Sequence, residues 1–341
     1  MRLARAGHRA GAPAAPQRRR GAQARGAGGV RSGGAAPRGG NRGRRRLRRR
    51  EGGGAEVSVC LDPGLQGGAV ADVLVRIVER RRRRLREEPR HSVRLEGAGS
   101  APPDFAAALR AARSGSASAI IAEVKMGSPK LGDLRGRIDP ERQARIYRDA
   151  GAAALSVVVE PDHFHGSYEL LRRCVIESGL PAIAKDFVVD ERQLDAAAEA
   201  GASAALLIAA LYERDELSRL ADEVRRRGMA PLIETHSGSD VAKLRGDDAW
   251  ELVGVNNRDL RTFAVDLRHS IDLLPDLPAG ALRVAESGIA GRRQVEQLES
   301  AGFDAFLVGE SLLLAEDPAA QLRLLRGVSG AASEGSSEGR S

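Results

Sequence analysis

Cysteine occurs only twice in this sequence, at Cys60 and Cys174, and neither belongs to a CxxC pair. That scarcity argues against a disulfide framework and a thiolate metal site, and points to a reducing compartment, the cytoplasm. No apolar run approaches the roughly 18 residues that a membrane span requires. The arginine-rich start also lacks the apolar stretch of about 7–15 residues that marks a secretory signal. No GxGxxG follows a strand, so the usual dinucleotide cradle is missing. Lysine and acidic residues are absent from residues 1–50, which contain 16 Arg. That segment therefore carries +16 in a chain of net charge +8, leaving −8 on residues 51–341. The basic balance belongs to the tail, and the remainder needs no polyanionic partner.

Residues 1–54 are Arg, Gly, Ala and Pro with little to bury, and are expected to be disordered. Phosphate neutralisation would let such a tail bind nucleic acid, but it has no aromatic residue to stack on bases. The preferred reading is an unstructured extension, or a start codon placed upstream of the translated protein. Residues 327–341, rich in Ser, Gly and Glu, read as a second disordered end.

Residues 55–118 read as a linker and helical extension. Val70, Val73, Leu74, Ile77 and Val78 recur at helical spacing, and Arg80–Arg84 are expected to carry that helix toward solvent. Asp104 is placed to cap a second helix, Phe105 to Ala112. From Ala119 to about residue 326, short apolar runs alternate with charged amphipathic stretches. The runs are Ala119–Val124, Ala154–Val159, Ala182–Lys185, Ala204–Ile208, Ala230–Glu234, Leu252–Val255, Leu282–Ala285 and Ala305–Val308. Clear helical stretches between them include Pro140–Ala150, Glu191–Ala200, Glu213–Arg227 and Arg292–Ala301. Gly151, Gly201 and Gly302 each stand between a helix and a strand, where glycine ends the helix. Eight βα units over 119–326 define an α/β class chain, a TIM (βα)8 barrel; a doubly wound sheet would have fewer strands.

Barrel chemistry sits at the C-terminal ends of the strands. There the sequence places Glu123 and Lys125, Lys185, Glu234, Asn256 with Arg258, Glu286, and then Ser287-Gly288 and Gly309-Glu310-Ser311. Alternation puts Glu123 and Lys125 on one face. Two lysines and two glutamates on one rim suit acid–base work; desolvation beside like charges is expected to lower a lysine pKa and raise a glutamate pKa. The small residues ending the last two strands suit a phosphate, beside the start of a short extra helix. His163-Phe164-His165 lacks a third spaced ligand, so no metal is expected there. His236 is expected to cap the following helix rather than assist Glu234.

These blocks together resemble the indole-3-glycerol-phosphate synthase family. Ile121-Ala122-Glu123-Val124-Lys125 with Ser128-Pro129, Phe164-His165-Gly166-Ser167, Lys185-Asp186-Phe187 and Leu206-Leu207-Ile208 match its motifs in order. So do Gly254 to Leu260, Ala285 to Ile289 and Val308 to Leu312. The resemblance covers about residues 70–326. It implies a barrel enzyme without metal or cofactor that acts on a phosphorylated small molecule. The reaction is ring closure of 1-(2-carboxyphenylamino)-1-deoxyribulose 5-phosphate, with loss of carbon dioxide and water. By matching motif, Lys185 is the implied general acid, Lys125 with Glu123 holds the carboxylate and assists, and Glu234 is the base or electrostatic partner. Asn256 positions substrate hydroxyls and Arg258 supports the rim. Ser128, Ser287, Gly288, Gly309 and Glu310 border the phosphate, while Phe164, Phe187, Leu206 and Ile289 form an apolar wall. The amphipathic segment from Val70 is similar to the family's N-terminal helix, which covers the barrel mouth. Met126, Gly127, Lys130, Val159 and His165 depart from the family's usual residues. The nearest alternative, a sugar-phosphate isomerase barrel, would rely on an Asp or Cys acid–base pair instead of this Lys/Glu set.

Overall fold

A computed structural model describes residues 57–60, 71–88, 102–246, 250–259 and 264–328. Val70, the 1–54 segment, and all of 327–341 except Gly327 and Val328 lie outside the described residues.

Eight strands form the centre: β1 Ala119–Val124, β2 Ala154–Val158, β3 Ala182–Lys185, β4 Ala204–Ile208, β5 Ala230–Thr235, β6 Leu252–Asn256, β7 Leu282–Glu286 and β8 Ala305–Val308. Every neighbouring pair is parallel, and β8 returns to β1 to close a barrel. The eight apolar runs are these eight strands. Thr235, Asn256 and Glu286 extend β5, β6 and β7 by one residue each, and β2 stops one residue early. The runs are apolar on both faces because one face lines the barrel and the other meets the surrounding helices; all six residues of β1 and all five of β2 and β4 are buried.

The connecting helices are amphipathic and capped. Asp139 accepts bonds from the amides of Glu141 and Arg142 at the start of the helix Pro140–Asp149, with proline in its first turn. Asp104 accepts from Ala107 N at 2.9 Å, as expected, and opens Phe105–Arg113. Gly151, Gly201 and Gly302 take φ of 86°, 86° and 117°, a region costly for a residue with a Cβ, and so the chain leaves each helix toward the next strand.

Paired residues in a parallel ladder point the same way, so the register identifies the lumen. Glu123 lies level with Ser156, and Val158 with Lys185. Ile208, Glu234 and Gly254 are level across β4, β5 and β6. Asn256 is level with Glu286, which is level with Leu307. The parity closes on itself through Leu307 and Ile121. Glu123, Lys185, Glu234, Asn256 and Glu286 therefore all face inward at one end.

The first helix, α1, spans Ala71–Glu87, and α2 spans Phe105–Arg113. The expectation that the α1 arginines run out to solvent fails at Arg81, which is 3% exposed. Leu74, Ile77, Val78 and Leu85 are buried too, and position 81 falls on the same stripe at i+3, i+4, i+7 and i+11. Arg80, Arg83 and Arg84 are exposed as expected, and Arg82 is half-buried.

Phe306 alternates with lumen-facing Leu307, so its fully buried ring packs outside the barrel, away from the rim chemistry. Phe306→Ala should lower unfolding free energy by about 3–5 kcal/mol. Denaturant unfolding checks this, with KM unchanged in the protein that remains folded.

Candidate active site

Five polar side chains converge at the C-terminal mouth. Lys185 Nζ donates to Glu286 Oε2 at 2.9 Å and to Glu234 Oε2 at 3.4 Å. Lys125 Nζ donates to Glu123 Oε1 at 2.8 Å. The carboxylates are buried, at 6% exposure for Glu123, 4% for Glu234 and 1% for Glu286. Space for them comes from two glycines on the lumen side. A Cβ on Gly254 would overlap Glu286 Oε1, and one on Gly309 would overlap Glu123 Oε1.

Glu286 was legible as a polar strand end, but nothing in the sequence assigned it to Lys185. The useful signal is parity: two lumen positions, Asn256 and Glu286, are level across β6 and β7. Beside them Asn257 stitches the strand ends. Its Nδ2 donates to the carbonyls of Glu286 and Ser287, at 3.0 and 3.2 Å, and its Oδ1 accepts from Ser270 N and Oγ. Asn256 Oδ1 accepts from Arg258 N at 3.0 Å, which sets the turn after β6.

The electrostatics correct one expectation. Burial opposes the charge on Lys185, but Glu286, Glu234 and Glu123 together outweigh it and hold the ammonium above its ordinary pKa. The lysine was expected to shift down because a second cation lies nearby. Lys125 is instead bonded to Glu123, and carboxylates dominate the field at Lys185. Burial pushes the Glu286 carboxyl up to about 8, with Glu234 adding to the rise against the pull of Lys185. Glu234 moves the other way: burial raises it, but Lys185 and His236 prevail and hold it below the usual carboxylate range. Glu123 is likewise lowered, with Lys125 and Lys185 overcoming its burial. One carboxyl is thus kept protonated near neutral pH beside another kept ionised, the division that acid–base sites use.

His236 does not cap the following helix. Ser237 does, accepting from Asp240 N at 3.2 Å. The His236 side chain is instead nearly buried, with Nε2 3.1 Å from Glu234 Oε1.

The phosphate-border candidates gather on one side of the mouth. Ser287 and Gly288 have φ of 62° and 79°, so β7 ends in two successive left-handed residues. Gly309 precedes a short helix, Glu310–Leu313, and Ser311 Oγ donates to Ile289 O at 3.0 Å, which joins the two loops. Ser128 lies in a two-stranded ribbon after β1, where Lys130 pairs with Glu310.

On the other side, the Phe164 and Phe187 rings stand 6.4 Å apart. Ile289 is buried near the rim, whereas Leu206 lies one inward step deeper than Ile208, level with Leu232. Phe164 is set by Glu160, a buried carboxylate that accepts from the amides of Asp162, His163 and Phe164. Gly127 and His165, both expected to differ from the family's usual residues, lie against each other: a Cβ at 127 would lie 2.7 Å from His165 Cδ2.

The closed parallel barrel, with a Lys/Glu cluster facing inward at its mouth, defines a protein of the (βα)8 class. A family model described as indole-3-glycerol phosphate synthase matches residues 74–325. A protein of that name from Koribacter versatilis (strain Ellin345) is 44% identical over 209 residues, 61% of this chain and 80% of its own length. Another from Burkholderia vietnamiensis (strain G4 / LMG 22486) is 37% identical over 257 residues, 74% of this chain and 98% of its own. A solved structure from Aquifex aeolicus VF5 shares the fold, with TM-score 0.50 at 12% identity, covering 65% of this chain and 96% of that one. The chain belongs to the indole-3-glycerol phosphate synthase family, lyases of tryptophan biosynthesis. Among the described residues, no helix is long and apolar enough to cross a membrane.

Two outcomes follow from this geometry. Gly254→Ala should displace the Glu286 carboxyl, leave the barrel folded at a cost of about 1–3 kcal/mol, and slow turnover by about 100-fold; steady-state rates with a circular-dichroism melt check both. The second concerns pH. Folded Glu286 keeps its proton up to about 8, against an ordinary value of 4.5. The folded chain then binds more protons than the unfolded chain, so this group's contribution is whole below 4.5 and fades as pH rises to 8. Glu234 has the opposite slope, confined to pH below its ordinary value of 4.5. Glu286→Gln should therefore flatten the decline in stability between pH 4.5 and 8, measured as denaturant midpoints across that range.

Proposed function

We propose that this chain closes the pyrrole ring of indole-3-glycerol phosphate from 1-(2-carboxyphenylamino)-1-deoxyribulose 5-phosphate, using the Lys185, Lys125, Glu234 and Glu123 side chains. The observation that carries the reading is the Lys185 ammonium, held 2.9 Å from Glu286 and 3.4 Å from Glu234 at the barrel mouth.

The chemistry needs three things in sequence. The ring carbon bearing the carboxylate attacks the C2 ketone, and the carbonyl oxygen becomes an alkoxide that takes a proton from Lys185. The new carbon–carbon bond leaves the ring cationic at nitrogen, so the carboxylate departs as carbon dioxide and its electron pair restores the aromatic ring. The C2 hydroxyl then leaves as water with a proton from Lys125, while Glu234 accepts the C1 proton as the indole double bond forms. Lys185 lies beside a carboxyl that can return a proton to it, Glu286, while the Glu123 carboxylate is the counter-ion of Lys125. Preorganised charges in a dehydrated site lower such barriers more than they would in water.

Phe164, Phe187, Leu206 and Ile289 suit the anthranilate ring, Asn256 and Arg258 the hydroxyls, and Ser128, Ser287, Gly288, Gly309 and Glu310 the phosphate. On this reading residues 119–326 are the catalytic barrel and 55–118 its extension. A cytoplasmic setting belongs to the same proposal, supported by Cys60 and Cys174, neither of which is in a disulfide.

Indole fluorescence on mixing with the substrate tests the activity. Lys185→Ala should reduce turnover by about 100- to 10,000-fold without unfolding the protein. Full activity in that variant, or silence from the folded unsubstituted chain, contradicts the reading.

A further inference from the structure

We propose that Arg81 is a positioning residue for this reaction. Reaching from α1 to Asp186, it fixes the loop after β3 so that Lys185 and Phe187, on either side of Asp186, are held in place. The inference rests on the function proposed above and assigns one of its requirements to the N-terminal extension.

Arg81 Nη2 lies 2.7 Å from Asp186 Oδ2, with both side chains 3% exposed. The same oxygen accepts from Tyr168 OH at 2.9 Å and Gln193 Nε2 at 2.8 Å, while Oδ1 accepts from Phe187 N at 2.9 Å. Gln193 continues the arrangement. Its Nε2 donates to Phe187 O, and its Oε1 accepts from the amides of Val189 and Asp190. The Asp186 and Gln193 side chains thus bond Phe187, Val189 and Asp190, and Arg81 supplies the cation that balances the buried carboxylate. Without it Asp186 would be an uncompensated buried charge, which is strongly unfavourable.

The same helix reaches the other aromatic loop. Arg80 and Arg84 lie 3.3 and 3.2 Å from Asp162, whose amide shares the Glu160 carboxylate with that of Phe164. One helix therefore grips both loops whose rings face each other across 6.4 Å.

Docking α1 does not by itself require this charge. Its stripe already buries Leu74, Ile77, Val78 and Leu85, and an apolar residue at a buried ion-pair position is often at least as stabilising. What the guanidinium adds is a fixed direction: a planar donor group that dictates where the Asp186 carboxylate sits. The consequence falls on the residues bonded to that carboxylate, one of which is the Phe187 amide, two residues after Lys185.

The phosphate-border loops after β7 and β8 lie across the barrel from β3 and provide an internal control. In Arg81→Met, KM should rise and kcat fall, each by about tenfold, while the inhibition constant of inorganic phosphate stays within about twofold. Arg81→Lys should recover part of the loss. Asp186→Asn should resemble Arg81→Met, and the double variant should be no worse than either single, because both remove one interaction. Hydrogen exchange should quicken at the amides of 186–190 and 162–164 and stay unchanged at 287–288 and 309–310. Unaltered kcat and KM in folded Arg81→Met, additive losses in the double variant, or faster exchange confined to α1 would each overturn the proposal. Should the unsubstituted chain not turn over the substrate, the proposed function fails, and the exchange comparison still decides whether Arg81 holds the loop.

Discussion

The site depends on the balance of charge around one buried ammonium. Three inward acidic side chains, Glu123, Glu234 and Glu286, act on Lys185. Without the lysine they would repel one another in a dehydrated lumen; without them the lysine would lose its proton to burial. A unit charge pair 3.4 Å apart, the Lys185–Glu234 distance, attracts by roughly 5 kcal/mol at an effective dielectric near 20. Dehydrating the ions costs several kcal/mol each, so the two effects are of the same order and the cluster adds little net stability. Its value lies in geometry. The barrel supplies the stability through strands buried on both faces, and spends lumen positions on charge only at one end, where Gly254 and Gly309 leave room.

Much of this was legible in the sequence, and the failures have identifiable causes. Strands showed because parallel barrel strands are apolar on both faces, and helix ends showed because only glycine takes the required φ cheaply at Gly151, Gly201 and Gly302. Glu123, Lys185 and Glu234 stood out because a charge inside an apolar run is anomalous. Glu286 stood out equally, yet its tie to Lys185 joins positions 101 residues apart, and only the strand register reveals such a tie. Arg81 hid in a run of arginines, where composition says solvent and helical phase says core; phase was right. The direction of the Lys185 shift was missed because counting charges on a rim does not say which are nearest. His236 was misread because Ser237, the better cap, stands next to it.

Two positions expected to differ from the family's usual residues meet in space. Gly127 and His165 come from different loops, and each looks like an isolated change. In space the imidazole fills the volume that a side chain at 127 would occupy, and His165 itself sits at φ 54°. A non-glycine residue in that region is held there by its surroundings. The two changes are therefore one adjustment, through which the ribbon after β1 leans on the loop that carries Phe164.

A lysine with a raised pKa is a weak acid in water, and the reaction shows why it need not be a poor one here. Acid strength matters relative to the base being protonated, and attack on a ketone creates an alkoxide far more basic than an amine. Proton transfer from Lys185 is then downhill in the product of that step, even from an ammonium stabilised by carboxylates. Before that step the same stabilisation keeps the donor charged over the neutral range, so the oxygen meets a full positive charge as its own negative charge grows. The demanding part is returning the proton to Lys185 for the next turnover. A carboxyl raised to about 8, lying 2.9 Å from the lysine, can hold a proton at neutral pH for that purpose. The carboxylate environment that raises the lysine thus equips it to act repeatedly, and the division of labour between Glu234 and Glu286 follows from where burial and neighbouring charge place each of them.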